Sequence, residues 1–251
     1  MRWRVLPLRR DDPFMSMALD EAILKLNSLG KSPNTLRFWT WCPSAVSIGY
    51  FQSVELEVDL EAARERGVEV VRRITGGGAV FHDKDGELTY SLVCGGEDLP
   101  ADILESYRKV CAGLVAGLRK LGLQAEFRPV NDVLVGGRKI SGSAQTRRWG
   151  SVLQHGTILL DPDFQVMFQV LRVGREKISN KGIASPLERV TSVARELGRR
   201  PAVEEVREAM IMGFSEALDV RFEEGDLSAE EMEFALQLRE KYSSREWTHR
   251  R

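Results

Sequence analysis

The sequence of 251 residues predicts a mixed α/β (α+β) protein with a largely antiparallel sheet flanked by helices. Short, β-prone segments cluster in the first two-thirds of the chain, and helical patterns lie between and after them. The segment NDVLVGGRKISGSAQ alternates apolar residues around Gly136 and Gly137, a strong hairpin pattern that requires antiparallel strands. No break in composition marks a second domain, so residues 1–251 are expected to form one domain, with a helical C-terminal part over about 163–251.

The individual elements follow from periodicity, caps and turn residues. The long segment that begins at Ile103 is amphipathic and ends at a glycine stop, and the last helix begins with a capping box, Ser228 followed by Glu231. In chain order we predict a helix over 16–27, strands over 35–41 and 45–51, a helix from Asp59 to Gly67, strands over 68–74 and 86–93, a helix over 103–122, the hairpin over 131–145, a strand over 151–160, and helices over 164–173, 202–218 and 228–242.

Composition limits the classes of function. The formal net charge of -1 provides no global field for nucleic acid, and no apolar run approaches the roughly 20 residues that span a membrane. The N-terminus lacks the apolar core of a signal peptide. The three cysteines, Cys42, Cys94 and Cys111, have no CxxC spacing, which argues against a disulfide framework or a zinc site. We therefore expect a cytoplasmic protein with neither nucleic acid nor membrane as a partner.

A glycine triplet follows one of the predicted strands, in the segment RRITGGGAVFHD over residues 72–83. Consecutive glycines allow close approach of a ligand, and the preceding arginines can pair with a phosphate or a carboxylate. The spacing matches neither the dinucleotide-binding pattern nor the P-loop. The triplet is equally compatible with an ordinary loop, and His82 with a packed histidine or a ligand contact.

Three other stretches allow both a structural and a chemical interpretation. Asn131 and Asp132 can start a turn, whereas Asp132 could bind a metal ion, although no second carboxylate stands nearby. Lys139 can be a solvated charge on a hairpin edge, or a donor to an acyl carbonyl or a phosphate. His155 can be a hydrogen-bonded core residue or part of a pocket. No nucleophile is evident, because the sequence has no G-x-S-x-G elbow and the two serines of ISGSAQ have no adjacent base.

Taken in order, five segments resemble the lipoate–protein ligase family, within the wider group of biotin and lipoate protein ligases and octanoyltransferases. They are ALDEAI, RFWTWCPSAVSIGYFQ, RRITGGGAVFHD, NDVLVGGRKISGSAQ and LQHGTILLD. They occur in the family order, and the resemblance extends over nearly the whole chain. The resemblance implies a fold like the catalytic domain of class II aminoacyl-tRNA synthetases and of biotin ligases. It also implies that ATP converts lipoate into lipoyl-adenylate, and that the lipoyl group then passes to a lysine of a lipoyl domain.

The resemblance also implies roles for individual residues. Lys139 matches the family lysine that contacts the acyl carbonyl and the adenylate phosphate, and it is expected to act as an electrostatic clamp. Asn131 and Asp132 match residues at the phosphate and its magnesium. The other substrate- and adenylate-binding positions are expected to be Arg72, Gly76, Gly77, Gly78, Ala79, His82, Ser141, Gly142, Ala144 and His155.

The chain departs from the family pattern at several points. Glu87 stands where many ligases have the asparagine of GNL, and the chain ends at KYSSREWTHRR, where bacterial ligases usually continue into an accessory domain. The segment from Arg138 to Asp161 is also similar to octanoyltransferases. Those that attack with a thiol need a cysteine near the acyl site, and LQAEFRPVNDVLVGG contains none.

The missing thiol favours the adenylate route. We therefore expect the catalytic subunit of a lipoate–protein ligase that uses ATP, magnesium and lipoate or octanoate. The alternative is a transferase that moves a preformed octanoyl or lipoyl group from a carrier protein or an adenylate. The expected acceptors are lipoyl-domain proteins, namely 2-oxoacid dehydrogenase E2 and the glycine cleavage H protein. A separate small protein could supply the accessory domain.

Overall fold

The computed structural model describes residues 2–172 and 188–250. The helices are α1 (Pro13–Ser28), α2 (Val54–Glu57), α3 (Leu60–Glu65), α4 (Ile103–Lys120), α5 (Phe164–Val170), α6 (Val193–Leu197), α7 (Val203–Leu218), α8 (Ala229–Ser243) and α9 (Arg245–Thr248). The strands are β1 (Arg2–Val5), β2 (Arg9–Asp11), β3 (Thr35–Trp41), β4 (Ala45–Ile48), β5 (Glu69–Arg72), β6 (Val80–His82), β7 (Glu87–Gly95), β8 (Ala125–Arg128), β9 (Asp132–Val135), β10 (Arg138–Arg148), β11 (Ser151–Leu159) and β12 (Arg221–Glu224).

Most of the described strands belong to one large mixed sheet, in the order β12-β1-β3-β7-β11-β10-β9-β8, with β2 also paired to β3. Strands β12, β1, β2 and β3 pair in parallel, and all other pairs of this sheet are antiparallel. The predicted hairpin is confirmed: β9 and β10 are joined at Gly136 and Gly137, whose φ angles are 57° and 75°. Positive φ at both positions is the requirement of a primed turn, which glycine meets without strain.

A small second sheet has the strand order β5-β4-β6. Strand β4 runs parallel to β5 and antiparallel to β6. The predicted mixed, largely antiparallel architecture flanked by helices is therefore confirmed.

The two faces of the large sheet differ in chemistry. One face carries Leu36, Phe38, Tyr90 and Ile158 into a core that includes side chains of α4 and α7. The opposite face packs on α1 through Trp39 and other apolar residues. In β7 the alternation is strict, because Leu88, Tyr90 and Leu92 enter the first core while Glu87, Thr89 and Ser91 alternate with them. The polar residues of β7 therefore lie on the face that looks toward α1.

The structure changes several sequence-based expectations. The strand predicted over 45–51 ends at Ile48, and the helix predicted over 164–173 ends at Val170; residue 173 lies outside the described residues. Strand β12 lies within the part predicted to be helical and pairs in parallel with β1. Within 2–172 and 188–250, no helix is both long and apolar enough to cross a membrane.

Candidate active site

A cavity of about 380 Å³ is lined by residues of both sheets, of α1 and of α5. Its volume falls within the range of small-molecule binding sites, roughly 300–1,000 Å³. The lining combines apolar side chains, among them Met17, Leu159 and Met167, with a few polar groups. The polar and glycine positions of the lining are Ser47, Arg73, Gly77, Gly78, His82, Thr89, Asn131, Lys139, Gly142, Ser143, His155, Gly156 and Thr157.

Lys139 reaches this cavity from β10, where a bulge separates it from Ser141. Its Nζ forms an ion pair with Asp132 Oδ1 at 2.7 Å, and its backbone N–H donates to the Arg189 carbonyl. The end of its side chain lies over Gly142, since a Cβ added there would stand 2.6 Å from Lys139 Nζ. The glycine of ISG, Gly142, therefore leaves the space that the end of the lysine side chain occupies.

Asp132 is a poor magnesium site in this arrangement. It does not itself line the cavity, and its Oδ1 is engaged by Lys139. No group of three or more His, Cys, Asp or Glu side chains that could hold a metal ion occurs among the described residues. Asn131 lines the cavity but donates its side-chain amide to the Ser143 carbonyl at 2.5 Å. The donor set does not fit a magnesium ion, so no chemical step is assigned to one.

The arginine at the cavity is Arg73 rather than the expected Arg72. The Arg72 guanidinium is buried and donates to backbone carbonyls around Gly49 and to those of Trp247 and Thr248, which ties α9 to the small sheet. Adjacent residues at a strand end point in opposite directions, so the two side chains separate. Arg73 faces the cavity, donates to the carbonyls of Gly76 and Gly78, and thereby shapes the glycine triplet.

His155 belongs to a buried polar cluster that extends to Arg37. Its Nδ1 donates to Asp20 Oδ2 at 2.8 Å, and its Nε2 accepts from Thr75 Oγ1 at 2.7 Å, because a carboxylate can only accept. Arg37 pairs with the other oxygen of Asp20 at 3.2 Å.

The charges within this cluster are balanced. Burial alone would raise the pKa of Asp20, but the Arg37 charge and the hydrogen bond from His155 outweigh it, so that pKa is lowered. Burial lowers the pKa of His155 more than Asp20 raises it, which favours the neutral ring. We refer to Thr75, His155, Asp20 and Arg37 as the His155 cluster.

His82 belongs to a second polar cluster with a similar arrangement. Its Nδ1 donates to Glu87 Oε1 at 2.7 Å, and its Nε2 accepts from Ser47 Oγ at 2.8 Å. The imidazole stacks on Trp41 with 4.0 Å between ring centroids. Thr89 Oγ1 also donates to Glu87 Oε1, at 2.5 Å. We refer to Ser47, His82 and Glu87 as the His82 cluster.

Arg73 joins the two clusters. Its Nε donates to Thr75 Oγ1 at 3.0 Å, and its Nη1 donates to the Ser47 carbonyl and hydroxyl at 3.0 and 3.2 Å. Burial lowers the pKa of Arg73 to about 10, which still leaves the guanidinium charged at neutral pH. No carboxylate of the described residues forms an ion pair with it, so a buried positive charge lies beside the cavity without an anionic partner in that part of the chain.

None of the three cysteines lines the cavity. Cys42 is exposed, while Cys94 and Cys111 are buried, and burial raises the pKa of each buried thiol to about 12. The Sγ of Cys111 lies 3.9 Å from the Oγ of Ser143, a lining residue. A thiol with so high a pKa carries very little thiolate at neutral pH.

The structure brings together most of the positions predicted for the site. Gly77, Gly78, Ala79, His82, Asn131, Lys139, Gly142, Ala144 and His155 all line the cavity. Arg72, Gly76, Ser141 and Asp132 do not, although Asp132 contacts Lys139. Sequence reasoning missed Arg73, Thr75, Ser47 and Asp20, and it noted Glu87 only as a departure. The alternation of Glu, Thr and Ser in GELTYSLV could have indicated a polar face on β7.

Comparisons with known proteins give two kinds of relative. Residues 12–215 match the model of a protein family that is described as "Lipoyl protein ligase A/B catalytic domain". Octanoyltransferase LipM of Kyrpidia tusciae is 42% identical, with 99% of each chain covered, and that of Bacillus subtilis is 36% identical, over 99% of this chain and 98% of its own. A chain from the structure of the bi-partite lipoate protein ligase and its E2 lipoyl domain from Thermoplasma acidophilum is 38% identical, has a TM-score of 0.88, and covers 99% of this chain and 96% of its own.

These relatives correct one expectation and establish another. The curated relatives matched over their full length, at 34–42% identity, are octanoyltransferases, which overturns the expectation of an ATP-dependent lipoate–protein ligase. A solved lipoate-protein ligase A bound with ATP, 36% identical with a TM-score of 0.86 and 99% of each chain covered, shares the fold. The family resemblance itself is confirmed: the chain is an enzyme of the lipoate ligase and octanoyltransferase family and belongs to the lipoyl protein ligase A/B catalytic domain family.

Proposed function

We propose that this chain is an octanoyltransferase. It moves a preformed octanoyl or lipoyl group from a carrier-protein thioester or an acyl adenylate to a lysine of a lipoyl-domain protein. The acceptors that we propose are the E2 subunits of 2-oxoacid dehydrogenases and the glycine cleavage H protein. Full-length identity to several octanoyltransferases is the observation that carries this proposal. Residues 1–251 act as one catalytic domain in it.

The cavity has the chemistry that such a substrate requires. Apolar side chains such as Met17, Leu159 and Met167 offer a slot for a saturated chain, and each buried CH₂ contributes about 0.8 kcal/mol. The glycines at 77 and 78 leave room for backbone contact with the ligand. The lining also contains the positively charged side chains of Lys139 and Arg73, and the reactive carbonyl would lie beside them.

Lys139 is the proposed clamp on the acyl carbonyl. Its ammonium supplies positive charge where the carbonyl oxygen becomes negative in the transition state, and the ion pair with Asp132 orients it. An acyl group that arrives already activated needs no nucleotide chemistry at this site. ATP and magnesium therefore have no part in the proposal.

The test is transfer without ATP. The purified chain is mixed with a lipoyl-domain acceptor and with one of two donors, the octanoyl thioester of a carrier protein or octanoyl adenylate. The mass of the acceptor is then measured by intact mass spectrometry. We expect one octanoyl group on the acceptor, and none when its target lysine is replaced by arginine. Modification that occurs only when free acid and ATP are supplied would contradict the proposal.

A further inference from the structure

An acyl transferase that works through a covalent intermediate needs a nucleophile at the cavity, and no cysteine of the chain lies there. Among the described residues that line the cavity, Ser47 has a hydroxyl bonded to a histidine that is itself bonded to a carboxylate. We propose that Ser47 is the nucleophile of this enzyme and carries the octanoyl group as an ester. His82 is its general base, and Glu87 is the positioning residue for His82. This inference rests on the proposed transfer function.

The hydrogen bonds of the His82 cluster fix the direction of proton transfer. Glu87 Oε1 only accepts when ionised, so His82 holds its proton on Nδ1, 2.7 Å away. Its Nε2 is then free to accept the proton of Ser47 Oγ at 2.8 Å. A hydroxyl, an imidazole and a carboxylate in this order are the arrangement that activates serine in unrelated hydrolases, where geometry rather than chain order defines the group.

Arg73 supplies the positive charge that the reaction needs. Its Nη1 lies 3.2 Å from Ser47 Oγ and also lines the cavity. When Oγ attacks, negative charge develops on the former carbonyl oxygen, and the nearby charge of the guanidinium stabilises it. The N–H groups of Arg73 already donate to Ser47, Thr75 and the glycine carbonyls, so Arg73 acts through its charge. Lys139 lines the same cavity and adds a second positive charge to it.

The environment of Glu87 also supports the proposed role of the His82 cluster in activating Ser47. Glu87 is only 1% exposed, and within the described part of the chain its Oε2 has no hydrogen-bond donor. A buried carboxylate with an unsatisfied oxygen is unfavourable in the resting protein. It becomes favourable when His82 carries a proton, which is the state that the attack creates.

The two chemical steps balance. In the first, Ser47 Oγ forms a bond to the acyl carbon, its proton passes to His82 Nε2, and the C–S bond of the donor breaks. The departing thiolate takes the proton from His82 and leaves as the carrier thiol. In the second, the neutral amine of the acceptor lysine attacks the ester carbon, His82 removes a proton from the nitrogen, and the C–Oγ bond breaks. That proton returns to Ser47 Oγ, and the amide product leaves.

The intermediate can be trapped directly. The wild-type chain is mixed with the octanoyl thioester of a carrier protein in the absence of acceptor, quenched in acid, digested and mapped by tandem mass spectrometry. We expect the octanoyl group on Ser47, stable to neutral hydroxylamine and cleaved by alkaline hydroxylamine, as an oxygen ester should be. An adduct on Cys42 or Cys111, which neutral hydroxylamine would remove, would overturn the proposal.

Variants separate catalysis from packing. Ser47→Ala should lower transfer to the acceptor by about 10³-fold or more, since the nucleophile is lost. The matched control is Ser151→Ala: Ser151 is 3% exposed, donates to Asn27 at 2.7 Å and does not line the cavity, so its transfer rate should stay within threefold of wild type. Ser47→Cys should become sensitive to iodoacetamide, whereas the wild type should not.

The two proposals fail in different ways. If the wild type transfers from neither donor, the octanoyltransferase function is wrong. If the wild type transfers normally and Ser47→Ala, folded by circular dichroism, transfers equally well, the function stands and Ser47 is not the nucleophile.

Discussion

The His82 and His155 clusters share one hydrogen-bond pattern and differ in two respects. In each, a carboxylate accepts from Nδ1 of the histidine, a hydroxyl donates to Nε2, and Arg73 donates to that hydroxyl. Asp20 is neutralised by Arg37, however, whereas Glu87 has no such cation among the described residues. Ser47 also lines the cavity, and Thr75 does not.

These two differences suggest a division of labour. A carboxylate that is already neutralised holds a histidine in place but gains little when that histidine is protonated. A carboxylate without a counter-ion stabilises an imidazolium strongly. The His155 cluster therefore serves to hold α1 against the large sheet, and the His82 cluster serves to move protons. A hydrogen bond between a histidine and a carboxylate occurs in both clusters and does not distinguish these uses. They are distinguished by whether a cation also pairs with the carboxylate.

The largest expected contrast comes from removing one charge in each cluster. Glu87→Gln should lower transfer by about 10²–10⁴-fold, with little change in the free energy of unfolding, because His82 loses its orienting anion. Asp20→Asn should do the reverse. It leaves Arg37 buried without an anion, which lowers the free energy of unfolding by about 3–5 kcal/mol, while transfer per folded molecule falls less than about tenfold.

Urea titration and initial rates on the same samples measure both quantities. Equal effects of the two substitutions on rate and stability would remove the distinction between the clusters.

Lys139 should behave like the His82 cluster, because it acts on the substrate. Lys139→Met should lower transfer by about 10²–10³-fold through loss of charge at the carbonyl oxygen. Stability should hardly change, since the side chain is 41% exposed. Arg138→Met is the matched control, on the same hairpin and 44% exposed, and it should leave the rate unchanged. A rate loss shared by both variants would indicate a general effect of hairpin charge.

The free energy of unfolding should depend on pH through His155, which offers a further test of the structural role of the His155 cluster. Burial holds its pKa below 6.5 in the folded chain, so the unfolded chain binds more protons as the pH falls. The stabilisation is fully present above pH 6.5 and is lost as the pH drops through the lowered pKa. Urea unfolding from about pH 8 to about pH 5 should show this decline, and His155→Gln should flatten it. If the stability of His155→Gln declined with falling pH as steeply as that of the wild type, the proton uptake would belong to another group.

The smallest effect is expected at the thiols. Cys42→Ser changes an exposed side chain outside both clusters, so stability should stay within about 0.5 kcal/mol of wild type. Transfer should be unchanged as well, before and after iodoacetamide treatment. Inactivation of the wild type by iodoacetamide, with protection in Cys42→Ser, would move the nucleophile from Ser47 to a cysteine.

Local sequence patterns predicted those parts of the fold that depend on contacts between residues close together in the sequence. The long helix α4, the capping box of α8 and the Gly136–Gly137 hairpin all follow from residues within one element. Strands β1 and β12 were missed because each is four residues long and their pairing joins segments that are far apart in the sequence. Periodicity within a short window contains no information about such a partner.

The residues of the candidate active site also fall into two groups: some could be predicted from local sequence patterns, and others depend on contacts between distant segments. Lys139, His82 and His155 stand in distinctive motifs, and all three line the cavity. Ser47 lies in an ordinary β-prone segment, 35 residues from His82, and only the pairing of β4 with β6 brings them together. The choice between Arg72 and Arg73 depends on which way each side chain leaves the strand, which the sequence does not specify to within one residue.

Release of the carrier thiol in the absence of acceptor tests the central claim most directly. Rapid mixing of the enzyme with excess octanoyl thioester should give a burst of free thiol close to one equivalent per enzyme, followed by a much slower phase. The burst should persist in Ser151→Ala and vanish in Ser47→Ala. A wild type that modifies the acceptor without any burst, or a burst that survives in Ser47→Ala, would contradict the account.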